Sequence, residues 1–426
     1  MQNKTESHIS FNAAGPQRHR TSSCEVAQSG STSTNENRRK KLLYLAVCDP
    51  DLHVTGATVR MGAFVSHLSR YYDITLVNMA GSGHAVAPEI ENRFYDRNNQ
   101  LGVVRRVRVK FSRTGYFLIS PRLYRETDNL LKTGSFEFLV ADYGLAAVYG
   151  KLFASRYGIP LIYSSHNVEY RMYLDLSKYD LRRRLLAPYV YWAERAACRA
   201  SKLVVTISEK DRVEYTKWIP RERIEVIPQG FEPESCNPFY EAPPRSPEVV
   251  LFIGSFRSET NRQAARQIVN KILPEVIQSR PNTKFQLIGA NPPEDLKGPN
   301  VECTGFVDDL APYLRRANLV IAPMPFAHGM ATKIVLALAF GKTVLATPQA
   351  VGAISRKYRQ LVVSQLEAFP STIVQLLSRR PSVDATQFAA LCEEFAWQNS
   401  IARLHRRMEQ RFGLARPQHS RQVASS

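Results

Sequence analysis

The stretch from Ala317 to Gly352 limits what this chain can fold into more than any other. Leu319 to Ala322 is a short apolar run of the kind that a strand buried on both faces requires. Pro323 and Pro325 end it, because each lacks an amide hydrogen and fixes φ. Gly329 opens a turn of small residues, the run Lys333 to Phe340 has helical character, and Gly341 falls where a helix C-cap belongs. A second apolar run, Thr343 to Ala346, stops at Pro348. Strand, turn, helix and strand make a βαβ unit with its turn at the carboxyl end of the first strand. Ligands bind there in open α/β sheets, with helix-start amides aimed at phosphate oxygens. A packed α/β layer without a ligand has the same pattern, and periodicity alone does not separate the two.

The same alternation recurs along the chain. Lys41 to Val47 reads as a buried strand, Pro50 to Thr55 as a loop, and Gly56 opens a helical stretch to Arg70. Strands follow at 73–79, 103–111, 136–142 and 160–165, the last ending on His166-Asn167-Val168-Glu169. Glu169 reads as the start of the next helix, where the macrodipole favours an acid. Leu181 to Ala200 is helical, with Pro188 as a kink; its arginines and aromatics suit either a membrane surface or an interior helix with the aromatics as core. A strand at 202–207 leads to Ser208, a helix N-cap with Asp211 at N3. Five prolines between 233 and 248 mark a linker. Beyond it, strands at 249–255, 284–289, 301–307 and 360–364, a helix at 261–279 and terminal helices from 388 to 412 define a second α/β half. The expected organisation is a tail (1–40), a first domain (41–231), a linker (232–247), a second domain (248–386), helices returning to the first domain (387–412) and a closing tail (413–426). The fold class is α/β, with two Rossmann-like parallel-sheet domains facing a cleft.

Composition narrows the partners. No run of about eighteen apolar residues is present to span a membrane. Residues 1–38 lack an apolar segment, which predicts a disordered tail and no signal peptide. Six scattered cysteines without metal-ligand spacing point to a reducing, cytoplasmic setting. The net charge of +19 calls for an anionic partner. No zinc-finger, helix-turn-helix or RNA-binding motif accompanies it, so nucleic acid is not expected. The basic residues are dispersed, densest at Arg105 to Lys110 and at Arg182 to Arg184, which fits the inner face of an anionic membrane as well as a merely solvated surface.

The phrases themselves resemble family 4 glycosyltransferases over about 41–412. Gly329, Lys333, Ala337-Leu338-Ala339, Gly341-Lys342 and Val344 to Thr347 fall in register with that family's donor-binding segment. Ser201 to Arg212, Ile224 to Glu232, Thr304 to Met324 and Phe395-Ala396-Trp397 match further family phrases. The resemblance implies a GT-B fold and transfer of a sugar from a nucleotide-sugar donor to a glycan or lipid-linked acceptor, with retention of configuration and no metal or other cofactor. It implies that His166 faces the donor sugar. It gives Gly56 and Gly329, Met330, Ala331, Thr332 and Lys333 to the donor diphosphate, with Arg257 as a further cation, and Gly305, Phe306 and Val307 to the base. Two glutamates usual in the family are replaced by His328 and Leu336. Leucine cannot accept hydrogen bonds from ribose, a loss of roughly 3 kcal/mol for two charge-assisted bonds. A different ribose partner, a different donor, and a non-catalytic binding or scaffold protein of the same fold all remain open. Another sugar-nucleotide enzyme, such as an epimerase, is a further possibility. An NAD dehydrogenase is disfavoured, because no G-x-G-x-x-G follows the first strand.

Overall fold

The computed structural model describes residues 39–46, 56–78, 91–94, 121–178, 180–236, 238–239, 247–296, 298–326, 332–352, 354, 357–379 and 385–413. The expected strand at 103–111, the loop at 50–55 and the basic cluster at 105–110 lie outside these residues.

The first half runs β1 (Lys40–Ala46), α1 (Gly56–Leu68), β2 (Tyr72–Asn78), β3 (Glu91–Phe94), α2 (Pro121–Thr133), β4 (Phe138–Asp142), α3 (Gly144–Tyr157), β5 (Leu161–Ser164), α4 (Glu169–Leu176), α5 (Leu181–Ala200), β6 (Leu203–Thr206), α6 (Glu209–Tyr215) and β7 (Ile224–Val226). These seven strands form one parallel sheet in the order β3-β2-β1-β4-β5-β6-β7. Leu42 of β1 lies opposite Ile74 on one side and Phe138 on the other. Apolar runs such as Leu42 to Ala46 and Leu203 to Val205 are buried on both faces, as helices on either side of a parallel sheet demand.

The second half runs β8 (Val249–Ile253), α7 (Glu259–Gln267), α8 (Leu273–Ser279), β9 (Lys284–Ile288), β10 (Val301–Gly305), α9 (Ala311–Arg316), β11 (Leu319–Ala322), α10 (Thr332–Ala339), β12 (Val344–Ala346), α11 (Pro348–Val351), β13 (Leu361–Val363), α12 (Phe369–Leu377), α13 (Ala385–Phe395) and α14 (Trp397–Phe412). Its six strands are also parallel, ordered β10-β9-β8-β11-β12-β13. Strand order reverses between β1 and β4 in one sheet and between β8 and β11 in the other.

Two local expectations change. The helix read as continuous over 261–279 starts at Glu259 and is broken by a π-helical segment, Ile268–Ile272. Pro274 has no amide to give to the preceding turn, and the ladder widens there. Helix α5 is not the interior helix whose aromatics are all core. Tyr191 packs edge-on against Tyr170 and Trp218, whereas Tyr189 and Trp192 face solvent. By contrast, Ser208 does cap α6: its Oγ accepts from the Asp211 amide at 3.1 Å and donates to the Asp211 carboxylate at 2.7 Å.

The halves are joined twice, side by side. The Phe231 amide donates to the Phe395 carbonyl at 3.2 Å, and the Trp397 amide donates to the Phe231 carbonyl at 3.1 Å. Only glycine fits at 230, because a Cβ there would lie 2.4 Å from the Phe395 carbonyl oxygen. Helix α14 then lies against α1. Its Trp397, Ile401, Leu404 and Met408 share a core with Leu42, Tyr44, Phe64 and Ile74 of the first half.

Candidate active site

Both reversal points carry polar chemistry at the carboxyl ends of their strands, where such folds bind ligands. In the second half, β8 leads to α7 and β11 leads to α10, so the starts of these helices flank the reversal. Lys333, in the first turn of α10, donates from Nζ to Asn261 Oδ1 of α7 at 2.9 Å. Its ammonium also lies 4.2 Å from the centre of the Phe252 ring and 3.7 Å from Met324 Sδ. Neither contact supplies a full negative charge, and desolvation pushes Lys333 down to about 7. Asn261 is fixed in turn: its Nδ2 donates to the Ser255 carbonyl at 2.8 Å. A Cβ on Gly254 would lie 2.7 Å from its side chain, which accounts for the glycine there. Thr347 donates to the Met324 carbonyl at 2.8 Å and steadies the loop after β11.

Around this centre the rim is set by loops after β8, β9 and β10. Arg257 is exposed and donates to Asn291 Oδ1 at 2.9 Å. Arg262 is occupied with Glu259 and with the carbonyls of Phe256 and Arg257, so it braces the loop. Gly305 has φ +75°, and its carbonyl accepts from the Gly289 amide at 2.8 Å. Phe306, next in sequence, is half exposed, while Val307 packs on the core.

In the first half, His166 follows β5 and is buried. Its Nε2 lies 3.0 Å from each oxygen of Asp142, at the end of neighbouring β4, and donates to that carboxylate. Burial alone would raise Asp142, but His166 and then Ser164 and Arg60 outweigh it and hold the carboxyl below its ordinary value. Arg60 of α1 is fully buried, donates to the Ile227 carbonyl at 2.8 Å, and is pushed down to about 10 by desolvation. Tyr143, between β4 and α3, sits edge-on to His166 with φ +79°, a costly conformation for a non-glycine residue. Glu169 begins α4, but its buried carboxyl does not cap the helix; burial and Glu194 push it well up. The cap comes instead from Glu194 of α5, which accepts from the amides of Glu169 and Tyr170 at 2.9 and 3.1 Å and from Tyr215 Oη at 2.7 Å.

The two halves approach at Gly56 and Thr332, the first residues of α1 and α10. A Cβ on Gly56 would lie 3.1 Å from Thr332 Oγ1, and the Gly56 carbonyl accepts from Gln229 Nε2 at 2.8 Å. Gly56, Thr332 and Lys333 are thus brought together, while Leu336 lies half-buried one turn along α10, against the second core. His328, Gly329, Met330 and Ala331 lie outside the described residues. Asp142, Tyr143, Gln229 and Asn261 were not among the sequence candidates. Asp142 carried one signal, an acid closing the apolar run Phe138 to Ala141. Among the described residues, no three His, Cys, Asp or Glu side chains could hold a metal ion, and no helix is long and apolar enough to cross a membrane.

Comparisons with known proteins agree with this architecture. The family model "Glycosyltransferase Family 4" matches residues 54–235, and "Glycosyl transferases group 1" matches residues 247–379. No curated protein matches the chain by sequence. Among solved structures, sucrose-phosphate synthase from Thermosynechococcus elongatus is similar at TM-score 0.65 and 15% identity, over 88% of this chain and 100% of that one. The Anabaena protein HepE, in complex with UDP and glucose, is similar at TM-score 0.60 and 15% identity, over 87% and 100%. WaaG, a glycosyltransferase involved in lipopolysaccharide biosynthesis, is similar at TM-score 0.57 and 15% identity, over 84% and 95%. The fold is that of the GT-B glycosyltransferases. The chain belongs to the family 4, group 1 glycosyltransferases.

Proposed function

We propose that the donor is a nucleoside diphosphate sugar whose diphosphate is held by Lys333 and by the amides that open α10. The observation that carries this is the part-buried Lys333 ammonium, which contacts an amide oxygen, a thioether and a ring at a strand-order reversal. A diphosphate would supply the missing negative charge, and in a desolvated site such charge pairs are strongest. UDP in the HepE structure supports the donor class. Transfer needs the leaving diphosphate stabilised as the glycosidic bond breaks, and Lys333 would do that here, with no metal required on this reading.

His166 is the proposed residue on the sugar side. Asp142 fixes its Nε2 and ring orientation, which leaves Nδ1 as the nitrogen to meet a sugar hydroxyl. Thr332 and Gly56 would close on the phosphates from the two halves. Arg257 would add a cation at the rim, and Phe306 with Gly305 and Val307 would offer the base a face. Gly329 and its neighbours His328, Met330 and Ala331 belong to the same reading. The acceptor is a glycan or a lipid-linked glycan, the configuration is retained, and the protein works on the inner, anionic face of a membrane. The non-catalytic scaffold reading is not favoured, since glycosyltransferase family models match both halves of the chain.

Calorimetric titration with a panel of nucleoside diphosphate sugars tests the donor. At least one should bind, and Lys333→Met should weaken it. If no donor binds, the site is not a nucleotide-sugar site. Proton NMR of the product's anomeric centre tests retention; an inverted product would overturn it.

A further inference from the structure

Helix α5 has two apolar faces, one buried in the fold and one exposed. Ala187, Val190, Ala197 and Cys198 are buried, and the helix packs on α3 and α4 through that side. On the other side Leu181, Leu185, Tyr189 and Trp192 are exposed by 67%, 74%, 42% and 60%. Spaced four, four and three residues apart, they fall within roughly a quarter of the helix circumference. Arginines border the stripe. Arg182 is exposed on one edge and Arg184 on the other, and the Arg195 guanidinium lies over the Trp192 ring at 5.1 Å from its centre. The only acid within α5 is Glu194, which is buried in the cap of α4.

We infer that this face of α5 is the surface by which the protein lies on an anionic lipid bilayer. The inference rests on the peripheral-membrane part of the reading above and gives it a place. Exposed leucines with a tryptophan and a tyrosine suit the boundary between headgroups and acyl chains, and arginines beside them suit anionic headgroups. A second copy of the chain is a poorer occupant. In a two-fold contact of α5 with α5, several arginines of each helix would be brought together against a single exposed acid per helix, Asp180 at the N-cap, which already pairs with Arg183.

The chain has three tryptophans, and Trp218 and Trp397 are buried, so Trp192 reports from its own position. Vesicles of phosphatidylcholine with added phosphatidylglycerol should sediment the full chain and shift its tryptophan emission to the blue. Pure phosphatidylcholine should do neither. Leu185→Glu with Trp192→Glu should lower the partition by at least roughly tenfold. Arg182→Gln or Arg184→Gln should each lower it by about fivefold, the worth of one basic residue at an anionic surface. Arg316→Glu with Arg379→Glu, on α9 and after α12, changes the charge elsewhere and should cost less. Binding that matches the parent in the α5 variants, or sedimentation without an emission shift, would overturn α5 as the contact. A parent chain that ignores all vesicles would overturn the membrane reading itself. Loss of concentration-dependent self-association in the α5 variants, without any lipid effect, would make the stripe a contact between copies instead. Donor binding should be unchanged in the α5 variants, which separates this result from a failure of the nucleotide-sugar reading.

Discussion

Lys333 and Asn261 meet across the strand-order reversal of the second sheet, Nζ to Oδ1 at 2.9 Å, and the pair joins the starts of two helices from different βα units. An amide oxygen satisfies one of the three ammonium hydrogens without neutralising the charge. The result is a lysine brought down to about 7, whose neutral amine above that pH can take up a proton when an anion arrives.

Donor binding should therefore take up a proton at mildly alkaline pH. At about pH 8 the free Lys333 is mostly neutral, and a bound diphosphate raises its pKa, so affinity falls by up to about tenfold per pH unit above 7. Titrations of UDP in buffers of different ionisation enthalpy would show the uptake at pH 8 and not at pH 6. Lys333→Met should abolish the uptake and weaken binding by about 1.5–3 kcal/mol, the worth of a charged hydrogen bond. Equal uptake in the variant would assign it to another group.

The same group should cost stability. A lysine brought down from 10.5 to about 7 destabilises the fold fully below 7, progressively less between 7 and 10.5, and not at all above. Lys333→Met should then raise Tm most at acidic pH, with the gain fading as pH climbs past 7. A gain independent of pH would mean that packing, not charge, is responsible.

Asp142→Asn removes the charge that His166 and Arg60 share. Losing a buried hydrogen bond to a charged carboxylate costs about 1.5–3 kcal/mol. Because Asp142 is held below its ordinary value, its contribution is present above the unfolded carboxyl pKa and is lost as pH falls through the lower folded value. The Tm difference between parent and variant should shrink in acid. His166→Asn should lower kcat/KM with a smaller change in Tm; equal losses of both would make His166 structural.

Leu336→Glu tests how the donor ribose is held. If another group already serves the ribose, UDP affinity should stay level or improve by up to about 3 kcal/mol, the worth of two charged hydrogen bonds. Binding seen only in the variant would return the parent to the non-catalytic reading.

The strands were legible because a parallel sheet buried on both faces leaves continuous apolar runs, as at Leu42 to Ala46 and Leu319 to Ala322. Lys333 could be picked out by register in its helix, but its environment could not. Phe252, Asn261 and Met324 come from three separate stretches, and only the fold brings them to one ammonium. Helix α5 was ambiguous for a different reason. A helix with apolar residues on opposite sides reads as buried, and sequence alone does not say which side is covered. Glu169 does start its helix, as its position after the strand suggested, but the cap that Glu194 supplies from the next helix was not legible, because only the fold brings Glu194 there.

The paired crossings at Phe231 and Ala396 have a mechanical consequence. Two backbone segments bonded side by side join the halves along a line instead of at a point. A two-ply strap resists torsion between the halves better than a single crossing would. Gly230, with no room for a methyl group, keeps the plies in contact. The strap thereby fixes how Gly56 and Thr332 face each other where the halves meet.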